Sequence, residues 1–184
     1  MADTLGIFNS SIAWFTEQKK LNCSPKIRAW LSDPDSLTLK LESLAKTFEV
    51  RVKSQELIKP STFLSGYFNN EIKVLVRNVF LYVDHKAVIF AQTEIPISTL
   101  NAHSTILAYI DNQPLGKILF NHANMTRDTF EFFEFKEHSS AHQLLKQINQ
   151  SNNDSLWARR SLFYLNNNPL LVSELFLPAS GIYR

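Results

Sequence analysis

Ile72-Lys73-Val74-Leu75-Val76-Arg77-Asn78-Val79-Phe80-Leu81-Tyr82-Val83 is the stretch on which the fold turns. It is a run of β-branched and aromatic residues in which both alternating faces are largely apolar, so it reads as a strand in the middle of a sheet with each face covered. Asp84-His85-Lys86 follows as a turn. Ala87 to Ile95 then returns as a second strand closed by Pro96. Strands joined by so short a turn pair antiparallel. A third strand is expected over Thr126 to Lys136. A hairpin is expected from Trp157 to Leu165 and Leu170 to Pro178 across Asn166-Asn167-Asn168, since asparagine tolerates the positive φ of tight turns.

Upstream of this core the chain reads helical. Ile27, Trp30 and Leu31 recur at helical spacing after Pro25, and Asp35 or Ser36 can cap a second helix running to about Ala45. Thr47 to Lys53 alternates with the strand period. Lys59 to Asn70 is expected as a loop and Ser98 to Ile110 as irregular chain with a short helix. Pro114 to Phe120 reads as a compact apolar element, and Ser139 to Gln150 as a helix. The sum is an α+β fold, with a single antiparallel sheet and helices packed against it, in one domain over residues 1–184.

Composition excludes several functions. Four scattered glycines cannot build a phosphate-cradling loop, and a net charge of +2 without dense basic clusters gives no nucleic-acid footprint. The single Cys23 excludes an intrachain disulfide and a cysteine-based zinc site. His138 and His142 stand four apart, a metal-ligand spacing, but the stretch is polar and no third ligand is evident, so they read as a solvated face and no metal is expected. The first residues lack a basic leader and no long apolar run follows, so the expected compartment is the cytoplasm, with no membrane insertion.

Two charges stand where apolar residues belong. Arg77 shares a strand face with Leu75, Val79 and Leu81, and Glu174 shares one with Val172 and Phe176. A buried charge needs a partner, an altered protonation state or a ligand. Either the two pair with each other across the sheet, or they flank a ligand. In the second case the planar fork of Arg77 would take a carboxylate and Glu174 would accept a hydrogen bond from a hydroxyl.

Five ordered blocks carry a family resemblance. They are Val76-Arg77; Ile95-Pro96-Ile97-Ser98-Thr99-Leu100; Pro114-Leu115-Gly116-Lys117-Ile118-Leu119-Phe120; Trp157-Ala158-Arg159-Arg160-Ser161; and Pro169-Leu170-Leu171-Val172-Ser173-Glu174-Leu175-Phe176-Leu177-Pro178. From about Asp33 to Tyr183 the chain resembles the chorismate–pyruvate lyases. The resemblance implies an antiparallel sheet with helices packed on one side and flaps closing over a buried ligand. It also implies cofactor-free cleavage of chorismate to 4-hydroxybenzoate and pyruvate, the first committed step of bacterial ubiquinone synthesis. Carried over motif by motif, the ring carboxylate falls to Arg77 and to the backbone amides of Leu37 and Leu115, and the ring hydroxyl faces Glu174. The partners implied are the substrate chorismate and the product 4-hydroxybenzoate, with no nucleic acid, and the chain is expected to be a monomer.

Three positions depart from the family pattern. Asn78 stands where an acidic residue is usual, and Gln92 and Lys117 where arginine is common. An arginine lost at Gln92 would weaken a contact to one of the two carboxylates of chorismate. Alternation sends one of Arg159 and Arg160 into the pocket, either to favour the enolpyruvyl carboxylate or as a rim charge. The segment from Glu137 to Asp154 is longer than the family pattern, and its helix has a narrow apolar stripe, so it is expected to be dispensable for the chemistry. The competing reading is an effector-sensing domain of the same fold that binds a small acid without turning it over.

Overall fold

The computed structural model describes residues 7–8, 12–59, 68, 73–107, 110, 113–152 and 154–183. Its centre is one antiparallel sheet of seven strands: β1 (Phe48–Ile58), β2 (Val74–Val83), β3 (Lys86–Pro96), β4 (Met125–Arg127), β5 (Glu131–Phe135), β6 (Leu156–Leu165) and β7 (Asn168–Phe176). The order is β1-β2-β3-β7-β6-β4, and β5 pairs with β6 beside β4. The α+β class and the single antiparallel sheet are as the sequence indicated.

The central strands lie where both-face apolarity put them. β2 and β3 are buried along most of their length. Their turn carries Asp84 and His85 at φ 47° and 64°, and the β6–β7 turn carries Asn166 and Asn167 at 46° and 68°. Two consecutive positive φ values give the turn twist that matches antiparallel strands. The asparagine turn is one residue tighter than expected, because Asn168 already pairs with Leu165.

Two strands differ from expectation. β1 runs on to Ile58, five residues past Lys53. Its polar second half, Ser54-Gln55-Glu56, masks the strand, and such residues are tolerated because β1 is an edge. The expected third strand is two, β4 and β5, interrupted at residues 128–130, although both pair with β6. The Lys59–Asn70 loop falls almost wholly outside the described residues.

Six short helices accompany the sheet among the described residues: α1 (Pro25–Leu31), α2 (Leu37–Leu44), α3 (Ile97–Ala102), α4 (Ser104–Leu107), α5 (Leu115–Phe120) and α6 (Ser140–Gln147). Ser24 and Ser36 cap α1 and α2 by accepting from the amides of Ile27 and Leu39. One sheet face, bearing Val79, Leu81, Ala91, Trp157 and Phe176, packs with Leu31, Leu37 and Leu41 of α1 and α2. The reverse face, bearing Phe80, Phe90, Ala158 and Leu175, packs with Ala141, Leu144 and Leu145 of α6 and with Phe8. Helices therefore lie on both faces, since the one-sided arrangement omits α6. This also revises the reading of residues 137–154. The segment is remote from the other face, yet its apolar stripe closes a core cluster, and replacing it with a turn would expose that cluster to water.

Candidate active site

A cavity lies on the α1–α2 face, and its floor comes from two ladder rows. Arg77, Thr93, Val172 and Ser161 form one row, and Val79, Ala91, Glu174 and Arg159 the next. The roof is the start of α2 (Leu37, Thr38) and of α5 (Leu115, Gly116), and Arg127, Phe120, Phe130 and Phe163 close one side. The roof helices meet closely. A Cβ on Gly116 would lie 2.7 Å from Thr38 Oγ1, so any larger residue there would have to displace the Thr38 side chain. Leu37 and Leu115 are the first residues of their helices, where the N–H has no intrahelical acceptor.

All four residues carried over from the motifs line this cavity. Arg77 and Glu174 lie on β2 and β7 with β3 between them, two residues out of register. By strand and residue spacings that is about 12 Å between Cα atoms. They do not pair with each other. Arg77 is 1% exposed and donates through Nη2 to the carbonyl of Ile110 at 2.8 Å, which ties it to the chain leading into α5. Glu174 instead accepts from Nε of its register partner Arg159 at 2.6 Å. Arg159 Nη1 donates to the carbonyls of Trp30, Leu31 and Asp33 at 3.1, 3.3 and 2.9 Å. These carbonyls sit at and just beyond the C-terminal end of α1, where helix acceptors are left open and a cation is favoured. Arg159 thus fixes Glu174 and α1 in one stroke.

Alternation decides the arginine pair. Arg159 faces the cavity, and Arg160 faces the reverse side, 2.6 Å from Glu131 and 4.4 Å from the centre of the Trp14 ring. The same parity corrects the expectation for Gln92. It is the register partner of Asn78, donates to Asn78 Oδ1 at 3.0 Å, and points away from the cavity. Asn78 in turn donates to Ser54 Oγ at 3.0 Å. The two departures form one amide pair behind the sheet, and no carboxylate contact in the cavity depends on Gln92. Lys117 lies on the outer side of α5, half exposed and 3.7 Å from Glu42 of α2, so it bridges the roof helices from outside. His142 is engaged with Ser139 Oγ at 3.1 Å and the Asp154 carbonyl at 3.0 Å. Among the described residues no group of three potential metal ligands converges, and none of the helices is long and apolar enough to cross a membrane.

Sequence reasoning missed Arg127, Phe130, Thr93 and Ser161 as cavity residues. Arg127 carried little signal, since its neighbours Thr126, Asp128 and Thr129 are polar and do not mark the break that follows it.

Residues 8–184 match the family model described as chorismate lyase. The chain belongs to the chorismate lyase family. It is 49% identical to a probable chorismate pyruvate-lyase of Psychromonas ingrahamii, over 95% of this chain and 94% of that one. It is 31% identical to the chorismate pyruvate-lyase of Pectobacterium atrosepticum, over 100% of this chain and 94% of that one. Among solved structures, the effector domain of PhnF from Mycobacterium smegmatis superposes with a TM-score of 0.60 at 9% identity, covering 79% of this chain and 90% of that domain. That likeness concerns the fold, which chorismate lyases and such effector domains share, and fold alone does not assign an activity.

Proposed function

We propose that this member of the chorismate lyase family cleaves chorismate to 4-hydroxybenzoate and pyruvate, as the first committed step of ubiquinone synthesis, acting as a single-domain cytoplasmic monomer. The observation that carries the reading is the cavity itself, with Arg77 at one end, Glu174 at the other and Val79, Ala91 and Val172 between. A rigid ring with a carboxylate and a para hydroxyl fits such a span.

Arg77 takes the ring carboxylate with the N–H groups of Leu37 and Leu115. Glu174, fixed by Arg159, orients the 4-hydroxyl and helps remove the proton from C4. The C3–O bond breaks, its electrons leave with the enolpyruvyl fragment, and protonation of that fragment gives pyruvate as the ring becomes aromatic. Much of the driving force lies in the substrate. The chain's contribution is to hold the ring, exclude water and place charge.

The test is the appearance of 4-hydroxybenzoate absorbance with chorismate as sole substrate. Turnover is expected in the wild type, with a fall of about a hundredfold in Glu174→Gln, the scale of a lost proton-transfer group. A wild type that binds 4-hydroxybenzoate yet forms none from chorismate would favour an effector-type binding domain.

A further inference from the structure

Chorismate carries a carboxylate that 4-hydroxybenzoate lacks, on the fragment that leaves. That fragment is attached at C3, next to the C4 hydroxyl, so its carboxylate falls at the Glu174 end of the cavity, where a second negative charge is repelled. The cations near that end are not equivalent. Arg159 has its Nε on Glu174 and its Nη1 on three carbonyls. Arg160 faces the opposite side of the sheet, and Lys117 lies outside the roof.

Arg127 is different. It closes β4, lines the cavity, and lays its guanidinium 4.2 Å from the centre of the Phe130 ring, with Phe120 and Phe163 at 5.7 and 5.6 Å. Among the described residues its side chain makes one hydrogen bond, a donation from Nη2 to the Pro34 carbonyl at 2.7 Å. Among the described residues no carboxylate lies within ion-pair distance of it. Burial, followed by the charge of Arg159, lowers its pKa, while the more distant charges of Glu174, Asp33 and Asp35 oppose this. The positive charge is destabilised as it stands, and an incoming anion would relieve it. Beside Arg127's register partner Phe163, the next floor-facing residue along β6 is Ser161. Ser161 is 3% exposed, and its Oγ has no hydrogen-bond partner among the described residues. A buried hydroxyl left so carries a desolvation cost that a ligand oxygen would offset.

We propose that Arg127, with Ser161 Oγ beside it, holds the carboxylate of the enolpyruvyl fragment. Arg127 is thereby the residue that distinguishes substrate from retained product. This rests on the lyase reading and deepens it. A guanidinium held over the Phe130 ring can still present donors at its edge to a carboxylate. As the C3–O bond breaks, negative charge grows on the departing oxygen, and the same cation opposes the rise in energy. Arg127 and Phe130 also line an outer groove with Ser32, Pro34 and Thr129. The leaving fragment therefore lies on the solvent side of the ring and can depart while the ring is still held by Arg77.

The test compares chorismate with 4-hydroxybenzoate in Arg127→Gln, Arg127→Lys and Ser161→Ala. Chorismate affinity is read by rapid-mixing binding, product affinity by equilibrium titration, and kcat and KM by absorbance. Arg127→Gln is expected to weaken chorismate binding and lower kcat/KM by about ten- to a hundredfold, the range for a lost charged hydrogen bond. The Kd for 4-hydroxybenzoate should stay within about threefold, since the product makes no such contact. Arg127→Lys should recover part of the loss, and Ser161→Ala should show a smaller change of the same kind. Equal weakening of substrate and product would mean that Arg127 only ties β4 to Pro34, and would overturn the proposal, as would no change in either. Because chorismate binding is read apart from turnover, a wild type that binds chorismate without converting it sinks the lyase reading alone.

Discussion

The two faces of the sheet carry the same kinds of residue to opposite ends. Arg159 and Arg160 are adjacent in sequence, and each lies 2.6 Å from a glutamate. On the roofed face Arg159 meets Glu174 at the edge of a cavity left between the sheet and the starts of α2 and α5. On the reverse face Arg160 meets Glu131, and Glu94 is sunk in the sheet at 2% exposure, between its register partners Val76 and Leu171. Burial pushes Glu94 up to about 8, only partly opposed by Arg160. One face thus sets its charges around a cavity, and the other buries a carboxylic acid whose proton is held to higher pH. The residue types do not decide this. What covers them does.

Breaking the roofed face should have the largest effect. Arg77→Ala should weaken 4-hydroxybenzoate binding by about 2–5 kcal/mol, with Arg77→Lys recovering only part because a point charge cannot form the fork. Isothermal titration checks this, and wild-type affinity in a folded Arg77→Ala would remove Arg77 from the site. Breaking the reverse face should act on stability instead. Leu144→Ala empties part of the α6 cluster and should cost about 2–5 kcal/mol in urea unfolding, while turnover per folded molecule stays at the wild-type value.

Glu94 gives the comparison a pH axis. Its folded pKa lies above the value of 4.5 expected when unfolded, so the folded chain retains this proton between 4.5 and about 8. The stability contributed by the neutral form is present at low pH, falls as pH rises through that window and is lost above it. Glu94→Gln should therefore unfold at a higher temperature than the wild type near pH 9, with the gap closing toward pH 5. Equal melting-temperature differences at both pH values would mean that the carboxyl does not titrate in the fold. The smallest effect is expected behind the cavity. Gln92→Ala should cost about 1 kcal/mol of stability through the lost bond to Asn78, with KM for chorismate unchanged within about twofold. A several-fold rise in KM would couple the two faces.

The particular residues show why parts were legible. Arg77 and Glu174 stood out because a charge in a run of β-branched residues conflicts with its neighbours, and that conflict is written in one dimension. Leu37 and Leu115 came only from the motif resemblance, since a backbone amide has no side chain to mark it. Arg127 stayed hidden because its place depends on the interruption between β4 and β5, and Gln92 was misread because its neighbours in sequence do not say which face meets the cavity.

By itself the sequence determined the antiparallel core, the turns after Val83 and Leu165 to within a residue, and the two charges set in apolar strands, because periodicity and turn chemistry act between residues a few positions apart. Only the tertiary structure decided that Glu174 answers to Arg159 and not to Arg77, that α6 seals the reverse face, and that Arg127 joins the site. Strand order and the packing of helices onto the sheet set those distances, and they arise from burial summed over the whole chain and not from any local pattern.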